Sequence, residues 1–347
     1  MFLLFLAYFN PYSDTNFFQF FGVFLTRLYA LLTGRLSFDS LVADEIQIAT
    51  LVCVAVAAAL VGVFLVLRKM TMLANALSHT ILLGIVVAYL IFQTMTIPVL
   101  MCAALVTGMV TTFLTTFFNR VIKLQEDASI GLIFSTLFAL GIVLLTFFSR
   151  NVHVGTELVM GNADALQRED IKLVAAVLGV NLALFMILYY GFKITTFDPY
   201  LAKAFGFSPL IFNYLLMVQA SATAIGAFKA VGVLMVLAFL VLPPLTARLL
   251  THRLPRLIGL AAAIGAAAAI LGVALSRHIL TFCGVGLSTG GIVVVVLGCL
   301  YLLAILVKWL RVKCRPVKCQ IDFSGRPRYD PSSVTLSGKN ETHCSSG

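Results

Sequence analysis

In a chain this apolar, the polar side chains inside long hydrophobic stretches are the ones that could do chemistry. Residues 72–85 read MLANALSHTILLGI, and there Asn75 and His79 stand four apart with Ser78 alongside. A spacing of four places two side chains on one face of a helix. An amide oxygen and an imidazole nitrogen pointing the same way can serve as two ligands for a borderline transition metal. One imidazole with oxygen donors suits manganese, iron and zinc alike. The structural alternative is that His79 donates a hydrogen bond to a neighbouring helix and Asn75 ties another. Two ligands do not complete a metal site, so others would have to come from other helices. A second segment, residues 197–206, carries Asp198 followed by Pro199, an acidic cap with proline at the first helical position, and then Lys203. A third feature, Pro243-Pro244, interrupts backbone hydrogen bonding near the end of an apolar run, either as a hinge or as a helix terminus. His153, His252, His278 and His343 read as solvated loop or tail residues. The chain contains no G-x-x-x-x-G-K-[ST] phosphate loop and no H-E-x-x-H, so neither ATP hydrolysis of that kind nor zincin chemistry is expected.

The elements that must position these residues are membrane helices. Hydrophobic residues make up 61% of the 347 positions and charged residues 11%, well away from a soluble domain. Mean hydropathy is +1.05. Stretches near residues 46–67, 73–93, 97–118, 129–148, 171–192, 209–228, 230–249, 257–276 and 290–307 read as spans of roughly 20 residues. A tenth, about 17–34, is interrupted by Arg27 and either spans or lies along the interface. The expected architecture is an all-α polytopic helical membrane protein of about nine spans. Its parts are an N-terminal apolar or interfacial segment (1–44), a transmembrane permease domain (45–307) and a cytoplasmic basic tail (308–347), too short and too polar to bury a core of its own and expected to be disordered. The first ten residues are apolar but lack a positive start and are read as mature sequence.

The formal net charge of +10 is distributed in clusters between apolar runs, which sets topology and argues against nucleic acid as a partner. Arg68 and Lys69, Arg120 and Lys123, Lys193 and Lys203, Arg248, Arg253 and Arg256, and Lys308, Arg311 and Lys313 fall at alternate span ends, which should be cytoplasmic, as should the C-terminus. Asp44, Glu45, Glu157 and Asp164 fall in the opposite loops, with Arg277 an exception to the bias. This alternation requires two helices within 209–249, meeting near residues 227–229. Of seven cysteines, Cys53, Cys102 and Cys299 lie in apolar runs, and Cys314 and Cys319 lack a histidine at zinc-finger spacing; no disulfide framework or metal knuckle is expected.

Several blocks together resemble the zinc/manganese/iron ABC permease family, the membrane subunits of metal importers. Leu77-Ser78-His79-Thr80-Ile81-Leu82-Leu83-Gly84-Ile85 is similar to the family's "DALSH…LPG" segment. Glu126-Asp127-Ala128-Ser129-Ile130-Gly131, running into Phe134-Ser135-Thr136-Leu137-Phe138-Ala139-Leu140-Gly141, resembles its "D-x-x-x-G…FALG" span. Phe197-Asp198-Pro199-Tyr200-Leu201-Ala202-Lys203-Ala204-Phe205-Gly206 resembles its "FDP-x-x-A…G" segment. Val231-Gly232-Val233-Leu234 through Pro243-Pro244-Leu245-Thr246-Ala247 is similar to "VG-x-L…P-x-x-TA", and Ser288-Thr289-Gly290-Gly291 stands where the last helix begins with "SG". The blocks occur in family order across roughly residues 45–305. Two positions depart: Asn75 replaces the family aspartate, and Leu83 replaces its proline.

The resemblance implies a metal site at His79 with Asn75 and Ser78, and an ATPase contact through Asp198, Pro199, Ala202, Lys203 and Gly206. It places candidate hinge positions at Gly232, Pro243 and Pro244. It implies no permanently bound cofactor, with Mn, Fe or Zn as cargo. The implied partners are a cytoplasmic ABC ATPase, an extracytoplasmic metal-binding protein and a second permease chain, all at a bacterial inner membrane. The competing class is an ion-coupled secondary metal transporter, which usually shows carboxylates buried in spans. Almost none occur here mid-span.

Overall fold

Apolar runs of about 20 residues can satisfy their backbone in lipid only as helices, and this chain folds accordingly. The computed structural model describes residues 17–33, 42–93, 96–148, 166–284, 287–313, 320–321 and 327–328. The chain divides into two units, Met1–Ile305 and Leu306–Gly347. In order, the helices are α1 (Phe17–Leu32), α2 (Ala43–Leu67), α3 (Thr71–Phe92), α4 (Ile97–Val121), α5 (Glu126–Phe148) and α6 (Arg168–Phe197). There follow α7 (Pro199–Ala204), α8 (Pro209–Val231), α9 (Val233–Leu250), α10 (Leu254–Cys283) and α11 (Thr289–Lys313). In the second unit β1 (Gln320–Ile321) pairs antiparallel with β2 (Pro327–Arg328), Gln320 opposite Arg328.

Apart from this two-residue pairing, the described residues are all-α, and the protein is polytopic. Among the described residues, eight helices, α2 to α6, α8, α10 and α11, are long and apolar enough to cross a membrane. The stretch expected as a further span at 230–249 forms α9, which has 18 residues. That length is about 27 Å at 1.5 Å per residue, slightly less than the ~30 Å hydrocarbon core. The break between α8 and α9 lies at Gly232, a few residues later than the charge pattern suggested. Gly232 has a φ of 83°, which a residue with a Cβ adopts only under strain. The stretch left open near the N-terminus forms α1, a 16-residue helix packed on α10.

Helix α2 is the centre of the bundle. It packs against α6, α8, α9 and α10, and about three-quarters of its residues are buried. Small residues along it, among them Ala55, Ala58, Ala59 and Gly62, let neighbouring backbones come close. A Cβ on Gly62 would fall on the Leu240 carbonyl oxygen of α9 and lie 3.0 Å from Pro244 Cγ.

Asp44 and Glu45, expected in a loop, instead open α2 and are buried. Arg277 of α10 bonds Asp44, and Arg27 of α1 bonds Glu45, whose other oxygen accepts the Val42 N–H at 3.1 Å. A buried carboxylate left alone is costly, and these pairings offset that cost. They also explain why Arg27 interrupts an apolar stretch and why Arg277 departs from the charge bias. Helix α10 runs further than expected, so His278 is helical and half-buried beside Phe282 rather than in a loop. His153, His343, Cys314, Cys319, Cys344, Glu157 and Asp164 lie outside the described residues, as does most of the tail for which disorder was expected.

Candidate functional site

The helical turn of α3 places Asn75 and His79 on one face, both half-buried. Ser78 lies between them on the helix, its side chain outside the described set. The His79 imidazole packs against Phe134 and Phe138 of α5, with ring centroids 5.4 Å away in each case. The two phenyl rings stack on each other at 5.8 Å. They belong to α5 at a spacing of four, so α5 presents both to the same side. Beside His79, Thr111 of α4 donates to Thr80 at 3.1 Å. The sequence blocks around 77–85 and 134–141 thus face one another across the α3–α5 contact. Among the described residues, no three His, Cys, Asp or Glu side chains gather closely enough to hold a metal ion. What α3 and α5 provide is one imidazole and one amide beside an aromatic wall.

Sequence reasoning missed that wall, although the Phe134/Phe138 spacing was the signal for it. It also missed a polar seam between α6 and α8. There Asn181 donates to Thr223 at 2.6 Å, and Gln219 is buried with no hydrogen-bond partner for its amide among the described residues. Amides within apolar runs were the available signal.

The second region is α7 and its flanks. Asp198 ends α6 and caps α7: its Oδ1 accepts the N–H groups of Leu201 at 2.9 Å and Tyr200 at 3.1 Å, while Pro199 takes the first helical position. This is the cap expected from the Asp-Pro pair. Ala202 is fully buried and Lys203 exposed in the last turn. Gly206, with φ of 81°, lets the Phe207 N–H reach the Ala202 carbonyl at 2.9 Å and turns the chain towards α8. The outward face is aromatic, with Tyr200 85% and Phe205 66% exposed.

Beneath this segment lies a side chain read from the sequence only as a topology-setting charge. Arg68 caps the C-terminus of α2, its backbone N–H bonding the Phe64 carbonyl at 2.9 Å. Its Nε donates to Thr196 at 3.0 Å and its Nη2 to Thr195 at 2.8 Å, both in the last turn of α6. Its Nη1 bonds Asn213 Oδ1 in α8, and its guanidinium lies 5.9 Å from the Phe192 ring centroid. Burial lowers the Arg68 guanidinium to about 10, which leaves it a cation at neutral pH.

The hinge candidates fall together around α9. Pro243 and Pro244 are buried inside α9, which continues past them to Leu250, so the pair does not end the helix. Pro243 lies towards Gly265 of α10, where a Cβ would come within 3.6 Å of Pro243 Cγ.

A bundle of membrane-length helices, with an amide and an imidazole on one face of α3 and an exposed, capped helix joining two spans, is the architecture of a polytopic membrane protein. Residues 44–308 match the model of the ABC 3 transport family, and the chain belongs to that family. A protein of Chlamydia muridarum named "Probable metal transport system membrane protein" is 43% identical over 296 residues, 84% of this chain and 93% of that protein. The manganese transport system membrane protein MntD of Bacillus subtilis is 40% identical over 238 residues, 65% of this chain and 80% of MntD. Among solved structures, PsaBC from Streptococcus pneumoniae in complex with Fab superimposes with a TM-score of 0.67 at 28% identity. That match covers 77% of this chain and 94% of the other.

Proposed function

We propose that this chain is the membrane-spanning permease subunit of an ATP-driven importer for a divalent transition metal, manganese, zinc or iron. The observation that carries the reading is that relatives sharing 40% identity or more, over four-fifths or more of their own length, are named for metal and manganese transport. Residues 45–307 form the conduit, set in a bacterial cytoplasmic membrane with the Arg68 end of α2 and the C-terminus inside. Segments 1–44 and 308–347 flank it. The metal is cargo. His79 and Asn75, with Ser78, take it up within the membrane, and a second permease chain supplies further oxygen ligands. An extracytoplasmic binding protein delivers the ion. A cytoplasmic ATPase grips α7 through Asp198, Pro199, Ala202, Lys203 and Gly206, and the exposed Tyr200 and Phe205 suit a protein groove. Gly232, Pro243 and Pro244 let α9 bend as the conduit opens alternately to each side.

The test is metal uptake by cells carrying this chain with its ATPase and binding-protein genes. His79→Ala and Asp198→Ala should both abolish uptake, and only Asp198→Ala should also release the ATPase from the purified permease. Uphill transport by the chain alone, driven by a proton gradient, would instead establish the ion-coupled carrier.

A further inference from the structure

Arg68, which caps α2 through its backbone N–H, bonds both α6 and α8 through its one side chain at the α7 end of the bundle. Helices α6 and α8 are the ones that enter and leave α7, and Thr196 stands two residues before the Asp198 cap. One planar guanidinium therefore holds the helix before α7, the helix after it and the terminus of the central helix. Its donors are fixed in a rigid fork, unlike the single rotating ammonium of a lysine. The Phe192 ring on one side limits its swing. Any displacement of α7 that moves α6 and α8 must therefore either carry Arg68 with it or break several charge-assisted hydrogen bonds together. Arg68 is continuous with α2, and α2 touches α6, α8, α9 and α10. Movement arriving at α7 thus has a direct route into the centre of the bundle. The neighbouring Lys69 makes a useful contrast: it is exposed, with φ of 60°, and belongs to the turn into α3.

We propose that Arg68 is the positioning residue that transmits motion of the α7 segment to α2, coupling the ATPase cycle to opening of the conduit. This rests on the importer reading above. Arg68 touches neither the metal nor the ATPase in it. Its loss should therefore separate two quantities that an unfolded or undocked permease would lose together.

The experiment uses the assembled importer, permease with its ATPase and binding protein, in lipid vesicles. ATPase retention, ATP hydrolysis and manganese uptake are measured on the same preparation. Arg68→Gln should keep ATPase retention and hydrolysis within about twofold of wild type while manganese moved per ATP falls about tenfold, because the fork and its charge are gone. Arg68→Lys should lose about threefold, and adding Asn213→Asp to it should restore the ratio to within about twofold, an ammonium–carboxylate pair replacing the guanidinium–amide contact. The proposal is overturned by an unchanged ratio in Arg68→Gln, by loss of ATPase retention in that variant, or by a double variant no better than Arg68→Lys. A wild-type permease that retains no ATPase would overturn the importer reading itself, so the wild-type arm tells the two failures apart.

Discussion

At the α7 end of the bundle, all three guanidinium nitrogens of Arg68 bond to other helices and the Asp198 carboxylate is taken up by its own cap. At His79 the neighbours are the Phe134 and Phe138 rings, with the hydroxyl pair Thr80–Thr111 at the next position of α3. In the first region these polar groups find their partners within the chain, whereas in the second no three His, Cys, Asp or Glu side chains gather among the described residues. That difference fits a division of labour. A part that transmits force has to be rigid before its partner arrives. A part that passes an ion along has to hold it loosely, since a full cage of ligands would trap it.

The contrast can be sharpened first at position 75. Asn75→Asp restores a full negative charge where a dication would sit. The half-saturating manganese concentration for uptake should fall about tenfold, roughly 1.4 kcal/mol, with ATPase retention unchanged. An unaltered half-saturation would mean that position 75 does not face the ion. The next largest effect should come from removing the wall beside His79. Phe134→Ala with Phe138→Ala should reduce manganese uptake about fivefold, in line with ~0.5–1.5 kcal/mol for each lost ring contact. Loss of the bound ATPase from that variant, measured by co-purification, would break the claim that the two regions are built independently. The smallest effect belongs to the turn after α7. Gly206→Ala forces a Cβ into a left-handed backbone at a cost of ~1 kcal/mol, and association with the ATPase should weaken about threefold while metal affinity stays the same.

What could be read from the sequence was local. The Asp198–Pro199 cap is a contact between neighbours in the chain, and the α3 face follows from a spacing of four, so both are legible without a structure. The helical character of the spans followed from composition. The break at Gly232 was placed a few residues early because the charge pattern around Lys229 drew the boundary, whereas the backbone requirement for a positive φ decided it. Asp44 and Glu45 looked like loop acids because their arginine partners come from α1 and α10. Arg68 was legible as a charge and illegible as a junction: its partners lie 127 to 145 residues away, and no local pattern encodes them. The aromatic wall stands between these cases, its spacing visible in advance and its target not.

The double proline in α9 has a mechanical corollary. Pro244 cannot donate to the carbonyl four residues back, that of Leu240. That same oxygen faces Gly62, where a hydrogen in place of a side chain leaves it room. The rod is thus weakened at a defined depth and seated against a smooth spot on its neighbour. The arm from Pro243 back to Val233 is about 15 Å long, so a proline bend of about 20° would swing its tip by about 5 Å. If the proposed hinge operates, a bulkier residue at 62 would wedge it, because a Cβ there meets the Leu240 carbonyl.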